Sequence, residues 1–346
     1  MASKISLANK YRPQTFEDVV EQDAIKTVLM NQINTDNLKH AYLFCGGAGT
    51  GKTTSARIIA NMMNGGVGKP VEMDCASHNG VDDMRMIIEE CKTRPLIGKY
   101  KIFLLDEVHM LTVQAWNSLL KILEEPPEYV IFLFCTTDPQ KIIGTIMSRV
   151  QRFNFQRISI NGIYNRLKFI VENENNERKL AGAQIIIYEE NALRYIARLA
   201  QGGMRDSITT LEKCLDYNLN LSLENVLTVT SGGVTEATLL QMTDYIINGD
   251  CKSVLLYFNE IYMSGVDVLL FLKLYIEYLQ NCTKYLITGS PDITTLSSLT
   301  LDYLDKHIQC TEFIRNILGD ILLIDTRYSA EDLKIIVESW FIKICK

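Results

Sequence analysis

The sequence predicts an α/β domain built on a parallel sheet, followed by two all-helical domains. Three observations carry this. The apolar run Ala41–Cys45 leads straight into GGAGTGKT at Gly46–Thr53. Short apolar runs then alternate with helix-period stretches, as βαβ units do. From about Arg157 onward the apolar spacing is helical throughout.

Taken in order, GGAGTGKT fits G-x-x-x-x-G-K-[ST]. Such a loop lets backbone N–H groups from Gly46, Gly47, Ala48, Gly49, Thr50 and Gly51 crowd around phosphate oxygens. Lys52 then reaches the β- and γ-phosphates, and the Thr53 hydroxyl reaches Mg²⁺. A helix over Thr54–Met62 follows, its N-terminus facing the phosphates. Further strands are expected at Val71–Asp74, Lys101–Asp106 and Val130–Thr136. The last is almost unbroken in apolar residues, as a parallel strand buried on both faces is. Trp116, Leu119, Leu120 and Leu123 mark a helix that Pro126-Pro127 ends. Phe153 and Phe155 alternate with polar neighbours and suit an edge strand. Beyond Arg157, Leu193, Ile196, Ala197 and Ala200 form one helical stripe, stopped by Gly202-Gly203. Ile208, Leu211 and Leu215 form another. Gly232-Gly233 marks a second break, and the helices after it turn near Gly249, Gly265, Gly289–Pro291 and Gly319.

Lys101–Leu111 reads KIFLLDEVHML. Its apolar strand delivers Asp106 and Glu107 at the carboxyl end, where open α/β sheets bind ligands. In a nucleoside triphosphatase Asp106 would hold Mg²⁺, directly or through water, and Glu107 would deprotonate the attacking water. Read alone, a strand ending in Asp-Glu also suits a solvated turn.

The composition narrows the class. In 346 residues, 47% hydrophobic content supplies a core. Net charge is −6, which argues against a nucleic-acid footprint over the whole surface. Nine scattered cysteines without C-x-x-C read as reduced thiols of a cytoplasmic protein. Met1–Lys10 has no signal-peptide character, and Val266–Leu279 carries Asp267, Lys273 and Glu277, so a buried helix is expected there and no membrane span. The helix around Leu269–Leu279 reads as apolar nearly all round. The four histidines show no metal-ligand spacing, and His109 reads as structural.

With GGAGTGKT, LLDEVHML, CTTDPQKIIGTIMSRV (Cys135–Val150) and GGMRDSITTLEKC (Gly202–Cys214), the sequence resembles the ATPase subunit of bacterial sliding-clamp loaders, the gamma/tau subunit of DNA polymerase III in the AAA+ class. KYRPQTFEDVVEQ (Lys10–Gln22) also resembles the opening of clamp-loader subunits, including those of replication factor C. The likeness runs from about Ser6 to Thr230; beyond Gly232 only helical character and length are shared. It implies an AAA+ P-loop ATPase domain (1–157), a small helical lid (158–231) and a C-terminal all-α collar (232–346). Thr137 aligns with the polar sensor of the γ-phosphate. Arg149 aligns with the arginine finger that reaches a neighbouring subunit's ATP, and Arg205 with the sensor on the lid. Tyr11, Arg12, Pro13, Val19 and Val20 would wall the adenine, Thr54 would join the phosphate contacts, and Arg85 would face the DNA backbone. From the residues alone, Thr137 equally caps a turn, Arg149 and Arg205 are surface arginines, and Arg85 belongs to a salt-bridged helix face beside Asp82, Asp83, Glu89 and Glu90.

The resemblance further implies ATP and Mg²⁺, a pentamer-like assembly with other clamp-loader subunits, a sliding clamp and primer-template DNA as partners, and no membrane. The family's four-cysteine zinc module would fall at Asn64–Pro70, which here reads NGGVGKP, so no zinc is expected. The arginine-finger motif reads Ser-Arg-Val and keeps its arginine. Ending at Lys346, the chain is expected to match the short gamma form. A branch-migration motor or helicase loader of the same class, and a non-catalytic structural subunit, are the rival readings; the intact Lys52, Thr53, Asp106 and Glu107 argue against the second.

Overall fold

Five strands, β1 (Ala41–Cys45), β2 (Val71–Asp74), β3 (Lys101–Asp106), β4 (Val130–Thr136) and β5 (Gln151–Asn154), form one parallel sheet in the order β2-β3-β4-β1-β5. The computed structural model describes residues 5–231 and 233–345. β1 and β4 lie inside the sheet with every residue buried, because helices cover both faces. Side chains alternate between those faces. Phe132 and Phe134 of β4 join Phe103 and Trp116 in one apolar layer, while Ile131 and Leu133 join Tyr42, Phe44 and Ile59 in the other.

Helices α1 (Leu7–Lys10), α2 (Asp23–Asn34) and α3 (Lys52–Met63) bracket the first strand in sequence. Helix α4 (Val81–Cys91) precedes β3, α5 (Val113–Glu124) precedes β4, and α6 (Gly144–Met147) leads to β5. α5 is capped by the Thr112 hydroxyl, which accepts from the Ala115 N–H. β5 takes the edge position expected of Phe153. Phe155 lies one residue past it and still donates its N–H to the Cys45 carbonyl at 2.7 Å. β2 is the opposite edge and is largely exposed.

Beyond the sheet lie α7 (Ile160–Leu180), α8 (Glu190–Leu199) and α9 (Met204–Tyr217). The stretch is not wholly helical. β6 (Ile187–Tyr188) and β7 (Asn220–Leu221) pair in parallel, a ladder too short to leave a period in the sequence. The chain divides into two compact units, Met1–Leu221 and Ser222–Lys346.

The second unit contains α10 (Leu223–Ser231), α11 (Glu236–Ile247), α12 (Cys251–Met263), α13 (Val268–Thr288), α14 (Ser298–Lys306), α15 (Thr311–Ile321) and α16 (Ala330–Ile344). Phe258, Phe271, Tyr275 and Phe341 centre its core. α13 is amphipathic rather than apolar all round: Phe271, Leu272, Tyr275, Tyr278 and Leu279 are buried, whereas Lys273 and Glu277 are exposed. The expected turns fall at Gly249, Gly265 and Gly289, but Gly319 lies inside α15, where Ile314, Ile317 and Ile321 bury a continuous stripe. The stripe's burial outweighs one glycine's cost of about 1 kcal/mol. Of the Gly232-Gly233 break, Gly232 lies outside the described residues and Gly233 is in a turn. No helix among the described residues is long and apolar enough to cross a membrane.

Candidate nucleotide site

The carboxyl ends of β1, β3 and β4 meet where the strand order turns back on itself, and the loop Gly46–Gly51 leaves β1 there. α3 begins at Lys52, two residues earlier than the sequence suggested, so its N-terminal N–H groups face the loop. Close approach explains two glycines. A Cβ on Gly46 would stand 2.6 Å from the Phe155 carbonyl oxygen. One on Gly49 (φ +69°) would stand 3.0 Å from the Gly203 Cα. Gly49 also accepts the Met204 N–H at 2.9 Å, which fastens the loop to the start of α9. Thr50 is buried and donates to the Gly47 carbonyl at 2.9 Å.

Lys52 is only 6% exposed, and its ammonium donates to the Gly46 and Gly47 carbonyls at 2.8 and 2.7 Å. Burial pushes its pKa down, while Glu107 and Asp106 pull it back up. A lysine held on carbonyl dipoles, with no carboxylate in hydrogen-bond contact among the described residues, is a cation suited to a phosphate anion. The Thr53 hydroxyl donates to Asp106 Oδ2 at 2.7 Å. Hydroxyl and carboxylate oxygens are hard donors, and this pair fits Mg²⁺, which takes few protein ligands beside phosphate and water.

Asp106 Oδ1 accepts the backbone N–H of Glu107 at 3.0 Å. Glu107 sits in the left-handed region (φ +49°), a non-glycine strain of the kind functional sites store. Its Oε2 accepts the Thr137 hydroxyl at 3.0 Å and the Thr137 N–H at 3.4 Å, and lies 3.2 Å from His109 Nδ1. Cys135 is wholly buried beneath this corner, and burial raises its thiol pKa well above the ordinary value.

A cavity of about 320 Å³ opens over the loop. Tyr11, Arg12, Pro13, Val19 and Val20 line it from the N-terminal segment, Ala48–Thr54 from the loop and the start of α3, Asp106 and Glu107 from the end of β3 and the residue after it, and Arg205 from α9. Gly46, Gly47 and Thr137 are not in its lining; Gly46 and Gly47 accept from Lys52, and Thr137 donates to Glu107. Burial, and next the guanidiniums of Arg57 and Arg205, lower the Arg12 pKa; Arg12 and Arg205 line the cavity, while Arg57 pairs with Glu72. Arg166, Ile158, Met204 and Ile208 also line the cavity, and the residue patterns give no sign of them. Arg166 comes from α7 and donates to the Tyr11 carbonyl at 3.0 Å.

Arg149 lies elsewhere. It pairs with Glu124 at 2.5 Å, donates to the Thr145 carbonyl at 2.6 Å, and lines a separate groove with His40 and Pro126. Arg85 is exposed on α4 and pairs with Asp82 at 2.8 Å, the i,i+3 pair of its local reading.

The chain is 36% identical over 302 residues to DNA polymerase III subunit tau of Bacillus subtilis, covering 81% of this chain and 52% of that one. It is 34% identical over 295 residues to DNA polymerase III subunit gamma of Buchnera aphidicola, covering 79% and 76%. It thus spans about half the length of the tau relative. Residues 69–159 match the family described as DNA polymerase III, delta subunit. Among solved structures, the Thermotoga maritima RuvB Holliday junction branch migration motor superposes with a TM-score of 0.52 at 18% identity, over 68% of this chain and 79% of that one. At that identity the likeness shows the fold alone. On the extent and level of identity to the gamma and tau subunits, the chain belongs to the DNA polymerase III gamma/tau subunit family.

Proposed function

We propose that this chain is an ATP-hydrolysing subunit of a sliding-clamp loader. The observation that carries the reading is the meeting of Lys52, Thr53, Asp106 and Glu107 at one cavity, with Thr137 donating to Glu107. Lys52 and the loop N–H groups hold the phosphates. Thr53 and Asp106 hold Mg²⁺, which when bound neutralises phosphate charge. Glu107 takes a proton from the attacking water, and Thr137 couples Glu107 to the γ-phosphate. Tyr11, Pro13, Val19 and Val20 face the base, and Arg12 and Arg205 the phosphates. Arg149 acts on a neighbouring subunit's ATP, in keeping with its distance from its own chain's cavity lining. We retain three functional regions, 1–157 for catalysis, 158–231 as lid and 232–346 as collar, within an assembly that grips a clamp and admits primer-template DNA. DNA contact by Arg85 requires it to leave Asp82. ATP favours the gripping state and ADP the released one.

The test is steady-state ATPase activity of the purified chain with partner subunits and clamp, with and without primed DNA, at two salt concentrations. Stimulation that needs both clamp and primed DNA, and weakens with salt, supports the proposal. Stimulation by DNA alone points to a motor. No turnover in any combination points to a structural subunit.

A further inference from the structure

We propose that His109 is a positioning residue for Glu107. The inference rests on the reading of Glu107 as the base that activates water. Glu107 stands at φ +49° directly before the short 3-10 turn Val108–Met110, and this reversal brings the side chains two residues apart back together. His109 Nδ1 lies 3.2 Å from Glu107 Oε2 and 3.3 Å from Thr136 Oγ1, with the imidazole only 13% exposed. A carboxylate oxygen is only an acceptor, so this contact is attractive only if Nδ1 carries the proton. The Thr136 oxygen already accepts the Asp138 N–H at 3.0 Å and stands as the second acceptor of a shared Nδ1–H. The contact therefore selects the Nδ1–H tautomer.

Oε2 thus receives Thr137 from one element and His109 from another, while Oε1 takes no hydrogen bond among the described residues. Donors from two residues, Thr137 and His109, converge on Oε2, fix the carboxylate plane and leave Oε1 free for water. Misplacement of a reacting group by about 1 Å can cost about a hundredfold in rate. His109 does not touch the reacting atoms and is not a second base.

The experiment compares His109→Ala and His109→Asn with the unaltered chain in single-turnover ATP hydrolysis and equilibrium ATP binding. Asn places an amide N–H near the position of Nδ1. We expect His109→Ala to slow hydrolysis about tenfold with ATP affinity unchanged, His109→Asn to recover most of the rate, and His109→Ala to add nothing once Glu107→Gln is present. A second readout needs no turnover. In ¹⁵N NMR of the nucleotide-free chain at about pH 8, the neutral His109 imidazole should carry its proton at Nδ1 and should lose that preference in Glu107→Ala. Normal hydrolysis by His109→Ala beside an inactive Glu107→Gln overturns the role of His109 alone. Normal hydrolysis by Glu107→Gln overturns the base reading and this inference with it. An Nε2–H tautomer in the unaltered chain overturns the inference even if His109→Ala fails to fold.

Discussion

Single side chains decide the phosphate end of the cavity. Lys52 is desolvated, and among the described residues its hydrogen bonds go to two loop carbonyls. Replacing it by alanine should weaken ATP binding at least about a hundredfold, the scale of lost charge-assisted hydrogen bonds. Calorimetric titration checks this, and retained tight binding would sink the phosphate-loop role. Glu107→Gln should bind ATP normally yet hydrolyse it about 10²–10⁴-fold more slowly in single-turnover assays, because the amide holds the geometry and cannot take the proton. Most of these residues were legible in the sequence because their roles need fixed types at fixed spacing, as in GGAGTGKT and the strand ending in Asp-Glu. Arg166 was not, because a single arginine on α7 has no neighbouring pattern to mark it. The approach of His109 to Glu107 is not legible either, because the left-handed turn at Glu107 cannot be seen in the order of residues.

Among the elements, the segment around Tyr11 is held by α7. The Tyr11 hydroxyl donates to Glu174 at 2.8 Å, and Lys10 pairs with Glu174 at 2.7 Å and Glu177 at 2.5 Å. Burial alone would raise the pKa of Glu174, but the hydrogen bonds from Lys10 and Tyr11 outweigh it and bring it below the ordinary 4.5. The native state therefore binds this proton less readily than the unfolded chain. The stability so gained is complete above 4.5 and is lost as pH falls through the lowered native value. Glu174→Gln should cost about 1 kcal/mol near neutral pH and progressively less on acidification below 4.5. Thermal unfolding of both proteins at about pH 7 and about pH 4 measures it, and an equal deficit at both would refute the ionic origin. The long buried strands declared themselves by unbroken apolar runs. The β6–β7 ladder and the continuation of α15 through Gly319 did not, since both depend on which neighbours supply burial.

For the whole molecule the chief expectation concerns Arg149. In the single chain it rests on Glu124 in a groove apart from the nucleotide cavity. Arg149→Ala should leave ATP binding intact. In the assembled complex it should lower DNA-stimulated turnover by as much as about 10³–10⁵, the range for an arginine supplied in trans. Mixed assemblies in which only one subunit carries the change should lose activity at the neighbour's site. A defect confined to the altered subunit's own site would refute the trans role.

By itself the sequence determined the phosphate loop, the acidic strand end, the parallel sheet and the mainly helical character of the remainder. These follow from periodicity and from chemistry that tolerates few residue types. Only the tertiary structure decided which distant residues share the cavity. Residue 49 meets residue 203, residue 166 meets residue 11, and residue 137 meets residue 107. The physical reason is that these contacts form where strand ends and helix starts converge in space. Sheet order and chain reversals set that convergence, and no local spacing along the chain encodes it.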